Sequence, residues 1–345
     1  MKEIKRNPKG FVNTPPTAEE IVELMKRPLA QKVLMAQTRI QEWYYAWDGQ
    51  CYVSFSGGKD STVLSYLAAS VLHNMGCPYP LYLLYLDTGL EYPEIRKFTK
   101  EYVEWLKSKF PGLEVVLEVE RPKLRFDEVI KLWGYPYPSK EVAMKIHEAR
   151  SKPGGASWNQ LHGTYLSKNG KTNRKSVTNW KFLLDAPFKI SHRCCYVMKK
   201  NPAKRYERRT KRKPIVGMMA EESFARKAKW LQTGCNAFDG DRPTSNPIMS
   251  WTQQDILRFI KDNQIFFSSV YGDILEDENG KLHTTGCDRT GCVFCLFGIH
   301  ADGTPNRIQK LKETHPKQYE YCIKDVEEGG LGLGKVMDWL QIPYK

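Results

Sequence analysis

Apolar and polar positions fall into blocks along the chain, and each block predicts an element. Thr17-Ala18-Glu19-Glu20, preceded by Pro15 and Pro16, has the spacing of a helix-capping box. An amphipathic helical stretch runs from there to about Trp47, with Pro28 as a kink or break. Residues 51–55 are a short apolar strand that leads into Ser56-Gly57-Gly58-Lys59-Asp60-Ser61. Residues 62–75 then carry Val63, Leu64, Leu67, Val71 and Leu72 at helical spacing. The unbroken apolar run at 81–86 reads as a strand buried on both faces, and it ends at Asp87-Thr88-Gly89. A helix over 93–110, a strand over 113–119 and a helix over 126–133 follow. Strands alternating with helices of this length predict a parallel α/β sheet flanked by helices.

The pattern breaks over 134–190, a stretch rich in Pro, Gly, Asn, Ser, Trp and Lys. It reads as a long insertion or a small helical subdomain. A strand over 214–219, a helix over 220–230 and a helix from 251 to about 263 resume the alternation. Residues 273–298 read as a Cys/Gly-rich loop, and 307–340 as short helices.

With 345 residues, 41% apolar and 27% charged, the composition is that of a globular protein of two domains, or of one with insertions. No apolar run approaches the roughly 18 residues of a membrane span, and the first residues lack the apolar core of a signal peptide. The expectation is a cytoplasmic protein with no membrane partner. Its nine cysteines are then better read as metal ligands or catalytic groups than as a disulfide framework.

The net charge of +14 is concentrated. Residues 145–213 hold nineteen Lys/Arg against Glu148, Asp185 and Glu207, so this window carries the whole excess. Such a region suits a polyanion, either nucleic acid or a phosphorylated substrate; the plainer reading is a solvated basic surface. Trp158, His162, Tyr165 and Trp180 are interleaved with Lys168, Lys171, Arg174, Lys175 and Lys181. That mixture suits single-stranded nucleic acid, or equally a small aromatic core coated with cations. The dense run at 204–213 must be solvated or meet an anion.

The segment from Ser56 to Thr62 lies between a predicted strand and a predicted helix. Gly57 and Gly58 let the backbone curl so that several N–H groups face one anion, and the helix N-terminus adds its dipole. Lys59 brings a point charge, Ser56, Ser61 and Thr62 bring hydroxyls, and Asp60 is placed to cap the helix. The spacing is not that of a Walker A loop.

This loop resembles the PP-loop of the adenine nucleotide α-hydrolase superfamily, and residues 55–63 are similar to its phosphoadenylylsulfate (PAPS) reductase branch. Four further segments resemble that branch in order. They are Asp87-Thr88-Gly89 with Tyr92-Pro93-Glu94; Arg193-Cys194-Cys195 with Lys199-Lys200; Gly217 to Glu222 with Ser223; and Trp251 to Ile256. The resemblance implies a Rossmann-like, adenine nucleotide α-hydrolase-like fold. Its expected divisions are an N-terminal helical segment (1–48), a nucleotide-binding domain (49–133 and 191–263), a basic insertion (134–190) and a Cys-rich loop with C-terminal helices (264–345). It further implies that the loop binds the phosphates of ATP or a sulfonucleotide. Lys59 and Mg²⁺ would neutralise charge, and Asp60 and Asp87 are candidate Mg²⁺ ligands. Thr88, Gly89, Gly217, Glu221 and Glu222 would complete the nucleotide site, with the backbone of 84–86 beside the adenine. Asp87 also reads as a turn cap, and Glu221 and Glu222 as an acidic helix start.

Five cysteines stand apart: the adjacent Cys194 and Cys195, and Cys287, Cys292 and Cys295 in a Gly-rich loop. A Cys-x2-Cys with a distant pair suits tetrahedral zinc or an iron–sulfur cluster. Arg193, Arg289 and Lys199 are close in sequence and would stabilise thiolates. The adjacent pair followed far downstream by Cys-x2-Cys resembles the [4Fe–4S] signature of adenylylsulfate reductases and of DNA phosphorothioation enzymes of the same superfamily. Iron–sulfur is therefore the first reading and zinc the second. Cys194, Cys195, Cys292 and Cys295 are the preferred ligands, and Cys287 is the rival. Sulfonucleotide reductases of the family carry a nucleophilic cysteine in a Glu-Cys-Gly-aliphatic-His segment. In this sequence no cysteine follows Cys322, which lies in a helix-like stretch without that context. Three readings result: an ATP pyrophosphatase that adenylates a substrate, nucleic acid being one candidate, with a sulfur or electron donor protein as partner; a sulfonucleotide reductase; and a non-catalytic nucleotide-binding component of a nucleic-acid complex.

Overall fold

The computed structural model describes residues 9–166 and 175–345. Six strands form one sheet: β1 (Cys51–Ser54), β2 (Leu81–Leu86), β3 (Val115–Glu120), β4 (Lys213–Ile215), β5 (Asn236–Ala237) and β6 (Thr244–Ser245). Their order is β3-β2-β1-β4-β6-β5, all parallel except the β5–β6 pair. A hairpin of β7 (Ile274–Glu276) and β8 (Leu282–Thr284) stands apart from the sheet. The helices of this part are α1 (Ala18–Lys26), α2 (Leu29–Ala46), α3 (Lys59–Asn74) and α4 (Pro93–Lys109). α1 is closed by the expected box: Thr17 Oγ1 accepts from Glu20 N at 3.2 Å, and Glu20 Oε2 from Thr17 N at 2.7 Å. Pro28 separates α1 from α2.

The order places β2 and β3 on one side of β1 and β4 and β6 on the other. The topological switch therefore lies between β1 and β4, where ligands bind at the carboxyl ends of doubly wound strands. The registers Val53↔Leu83 and Val53↔Ile215 put three apolar strands side by side. Val53, Leu64, Leu67, Leu83, Tyr102 and Trp251 are all sealed from solvent in one core that fixes β1 and α3 on either side of the phosphate loop.

Chain compactness divides the molecule into two units: Met1–Asp87, Glu91–Glu120 and Ala203–Thr290 form the first, and Thr88–Leu90, Arg121–Pro202 and Gly291–Lys345 the second. The second unit thus holds both the 134–190 stretch and residues from 291 onward. It contains α5 (Phe126–Trp133), α6 (Lys140–Ser151), α7 (Ala156–His162) and α8 (Lys175–Thr178); α9 (Asn201–Thr210) starts at its boundary. α10 (Phe224–Thr233) and α11 (Gln253–Asp262) return to the first unit, and α12 (Arg307–Thr314), α13 (Pro316–Ile323) and α14 (Leu333–Trp339) close the second. Arg150 organises this second unit. Its guanidinium donates to the carbonyls of Leu183, Leu184, Ala186 and Phe188 at 2.6–3.1 Å, fixing the short 3-10 helix Lys181–Asp185 and the residues after it.

Candidate nucleotide site and cysteine cluster

β1 runs out at Ser54, and the chain turns through Ser56-Gly57-Gly58 into α3. Gly57 has φ +72°, and a Cβ there would lie 2.8 Å from Ile95 Cγ2, so both the backbone and α4 require glycine. Hydroxyls tie the turn together. Ser56 N donates to Ser61 Oγ at 3.1 Å, Gly58 N to Ser56 Oγ at 3.3 Å, and the hydroxyls of Ser61 and Thr62 to Gly58 O at 2.8 and 3.1 Å. The N-cap of α3 is Gly58, not Asp60. Asp60 sits inside the first turn, where the serine hydroxyls have already satisfied the loop, so its carboxylate turns elsewhere. Asp60 Oδ1 is buried and has no hydrogen-bond partner among the described residues. Burial raises its pKa, opposed by Lys59, Arg289 and Arg226. An orphaned buried carboxylate oxygen costs on the order of 1–3 kcal/mol, and its chemistry fits a hard cation such as Mg²⁺.

Lys59 is 3% exposed. Its Nζ donates to Asp288 O at 2.5 Å and lies 5.1 Å from the centre of the Tyr271 ring. Burial lowers its pKa. Two further cations surround Asp60. Arg226, on α10, pairs closely with Glu222, and Arg289 reaches the other oxygen of Glu222 at 3.5 Å. Gly217, just beyond β4, lies against the loop, with its Cβ position 3.4 Å from Asp60 O. The loop, Gly217, Glu222 and these cations therefore gather at the switch between β1 and β4. Glu221 is turned to a different task and accepts from Gln253 N, at the start of α11, at 2.6 Å. Asp87, at the end of β2, is held by Arg96 at 2.7 Å. Thr88 Oγ1 accepts from Leu90 N at 3.2 Å, and Gly89 takes φ +75°.

In the second unit, Cys194 Sγ donates to Cys195 Sγ across 4.0 Å. This contact lowers the pKa of Cys195, helped by Lys140, Lys199 and Lys200, while Cys194 is pushed up by the same contact and by burial. Cys292 and Cys295 act electrostatically on Cys194, and Cys295 is itself raised to about 11, chiefly by burial. Four thiols thus influence one another within one unit. Cys287 lies in the first unit, packed against the cluster of Tyr85, Ile95, Val270 and Tyr271. Among the described residues, no three Cys, His, Asp or Glu side chains gather closely enough to hold a single metal ion. The donor set, four sulfurs with cations beside them, is of the chemistry that takes a thiolate-bound cluster.

The family model described as phosphoadenosine phosphosulfate reductase domain matches residues 50–152 and 160–296. The chain belongs to this family. A relative described as an uncharacterised protein of Methanocaldococcus jannaschii is 22% identical over 304 residues, which cover 85% of this chain and 52% of that protein. The chain therefore spans about half the length of the curated relative it matches. Among solved structures, the phosphate complex of PAPS reductase from Candida auris is 14% identical, covering 78% of this chain and 99% of that one, with a TM-score of 0.32. The family match covers the phosphate loop, Asp87, Gly217 and all five singled-out cysteines.

Within this phosphosulfate reductase domain, three of the residues beside the loop were not singled out from sequence for that site: Tyr271, Arg226 and Arg289. Arg289, expected to stabilise thiolates, instead pairs with Glu222 and acts on Lys59 and Asp60. The basic run at 204–213 meets anions supplied by the protein itself. Arg205 and Arg209 bind Glu120 at 2.6 and 2.8 Å, and Arg212 binds Glu118 at 2.7 Å. Of the insertion's aromatics, Trp180 packs edge-on against Tyr137 and His300, and Trp158 stacks on His162 at 4.3 Å. Tyr165 is half-buried. Lys168, Lys171 and Arg174 lie outside the described residues, as does the side chain of Lys175.

Proposed function

We propose that this chain is an ATP pyrophosphatase of the PAPS reductase domain family, one that transfers the adenylyl group of ATP to an acceptor. The observation that carries this reading is the gathering of Lys59, Arg226 and Arg289 around the loop after β1, which suits a highly charged polyphosphate better than a single phosphate. In the proposed reaction an acceptor atom attacks the α-phosphorus, the bond to the β-phosphate breaks, and pyrophosphate leaves. Lys59 takes up charge on the departing phosphates, and the loop hydroxyls orient them. Asp60 would hold Mg²⁺, which when bound supplies Lewis-acid stabilisation of the leaving group; Asp87 is the second candidate ligand. Cys194, Cys195, Cys292 and Cys295 would hold a [4Fe–4S] cluster, with zinc as the alternative metal and Cys287 as the rival ligand. When bound, that cluster supplies one-electron transfer in support of sulfur chemistry. Nucleic acid is the proposed acceptor class, through the basic region at 145–213, and a sulfur or electron donor protein the proposed partner.

Cys322 supports the choice over a reductase. It is fully buried in α13, and burial pushes its thiol up to about 12, away from the thiolate that a nucleophile needs at neutral pH. The family match favours a second reading, in which PAPS or adenylylsulfate is reduced to sulfite. The test is a product assay on anaerobically purified protein. One arm contains ATP and Mg²⁺ with and without RNA or DNA; the other contains PAPS and reduced thioredoxin. AMP and pyrophosphate without sulfite, abolished by Lys59→Ala, are expected. Sulfite release overturns the proposal, and nucleotide binding without turnover points to a non-catalytic component.

A further inference from the structure

We infer that Arg289 is a polyphosphate-binding residue and that the Tyr271 hydroxyl is a placeholder on the phosphate loop which yields to the anion. This rests on the reading of the loop as a polyphosphate site and goes beyond it by assigning how that site is filled.

The donors described on the loop are engaged by neutral oxygens. Lys59 N donates to Tyr271 Oη at 3.1 Å, Lys59 Nζ to the carbonyl of Asp288, and Gly58 N to Ser56 Oγ. Tyr271 Oη is in turn 2.6 Å from Thr290 Oγ1. Two of these partners, Asp288 and Thr290, lie on the short segment after β8. Its root is fixed: Gly286 N donates to Tyr271 O at 2.8 Å, and Cys287 N to Val270 O at 3.0 Å. The segment thus reaches the loop from a firm base and presents Asp288, Arg289 and Thr290 in succession.

Charge-assisted hydrogen bonds are roughly twice as strong as neutral ones, so a polyphosphate oxygen displaces a hydroxyl or a carbonyl from the same donor. Arg289 is the cation best placed to follow. Its side chain is 66% exposed, and its 3.5 Å contact with Glu222 is long for an ion pair. Glu222 is held more closely by Arg226, so it keeps a partner when Arg289 leaves. Anion binding therefore exchanges partners in two places: Lys59 N passes from Tyr271 to phosphate, and Arg289 passes from Glu222 to phosphate.

The test is calorimetric titration of the full chain with inorganic pyrophosphate in metal-free buffer. Arg289→Gln should weaken binding about tenfold, as loss of a charge-assisted contact implies. Tyr271→Phe should tighten binding about threefold to tenfold, because it removes a competing acceptor while keeping the buried ring. Glu222→Gln, a second variant with a different risk to folding, should also tighten it. A purely structural role for Tyr271 predicts the opposite sign. Unchanged or weaker binding by Tyr271→Phe and Glu222→Gln, or Arg289→Gln within twofold of the parent, overturns the inference. If the parent protein does not bind pyrophosphate, or Lys59→Ala binds it equally well, the reading of the loop itself fails.

Discussion

Replacing Gly57 by alanine isolates the conformation on which the loop depends. At φ +72° an L-residue costs about 1–2 kcal/mol. The added Cβ would also stand 2.8 Å from Ile95 Cγ2 and 3.2 Å from Thr99 Cγ2. Both neighbours are 1% exposed on α4, so neither can swing away, and overpacking of this kind costs about 1–3 kcal/mol. The expected loss is about 2–5 kcal/mol. Gly112 supplies the control in the same unit: its φ is +84°, and a Cβ there would meet nothing within 4 Å. Gly112→Ala should therefore lose only the backbone part, about 1–2 kcal/mol. Urea unfolding followed by far-ultraviolet circular dichroism gives both values, and titration with ATP should show weakened binding for Gly57→Ala alone. Equal losses in the two variants would refute the contact with α4, and no loss in either would refute the left-handed backbone.

Three other outcomes are expected. Nucleotide affinity should fall as pH rises through the Lys59 pKa; burial lowers that pKa, so the fall comes below the roughly 10.4 of a free lysine, and binding by Lys59→Arg should stay flat over the same range. Cys322→Ser should leave turnover unchanged, and mass spectrometry after iodoacetamide treatment at pH 7.5 should find Cys322 unlabelled in the folded protein. Arg150→Met takes a donor from four backbone carbonyls, of which Leu183 O keeps Ala186 N at 3.4 Å, and should destabilise the protein by about 3 kcal/mol or more in thermal unfolding, whereas Arg150→Lys should recover only part of this.

Elements with a clear apolar pattern could be read directly from the sequence. β2 spans the apolar run 81–86, whose residues are buried or half-buried throughout, and α5 spans 126–133, where Phe126, Val129 and Ile130 recur at helical spacing and are buried while Glu128 and Lys131 are exposed. The start of α3 was misplaced by three residues, since Lys59, Asp60 and Ser61 look like loop residues although their backbone is helical. The strand expected over 214–219 ends at Ile215; β6 pairs with it at one residue only, and the chain then turns toward Ala220. β5 and β6 are two residues each, too short for any periodicity. The β7–β8 hairpin did carry a signal, the Asn279-Gly280 dipeptide between two short apolar-containing runs, with Gly280 at φ +75°. The Ser56–Thr62 loop was legible because its residues are contiguous. Tyr271 and Arg289 reach Lys59 from more than 200 positions away, and no local pattern encodes such a meeting.

The arginines of α9 and the turn after it bear on how ionic strength should act on this protein. Each carboxylate that Arg205, Arg209 and Arg212 find on β3 withdraws a positive charge from any count of counterions that a bound nucleic acid could release. The salt dependence of such binding should therefore be shallower than nineteen basic residues suggest. The same ions also weaken the arginine clasp that holds α9 to β3, one of the two edge strands of the sheet. Added salt thus acts on the protein's own seam as well as on a ligand, and a binding curve measured against salt concentration records both.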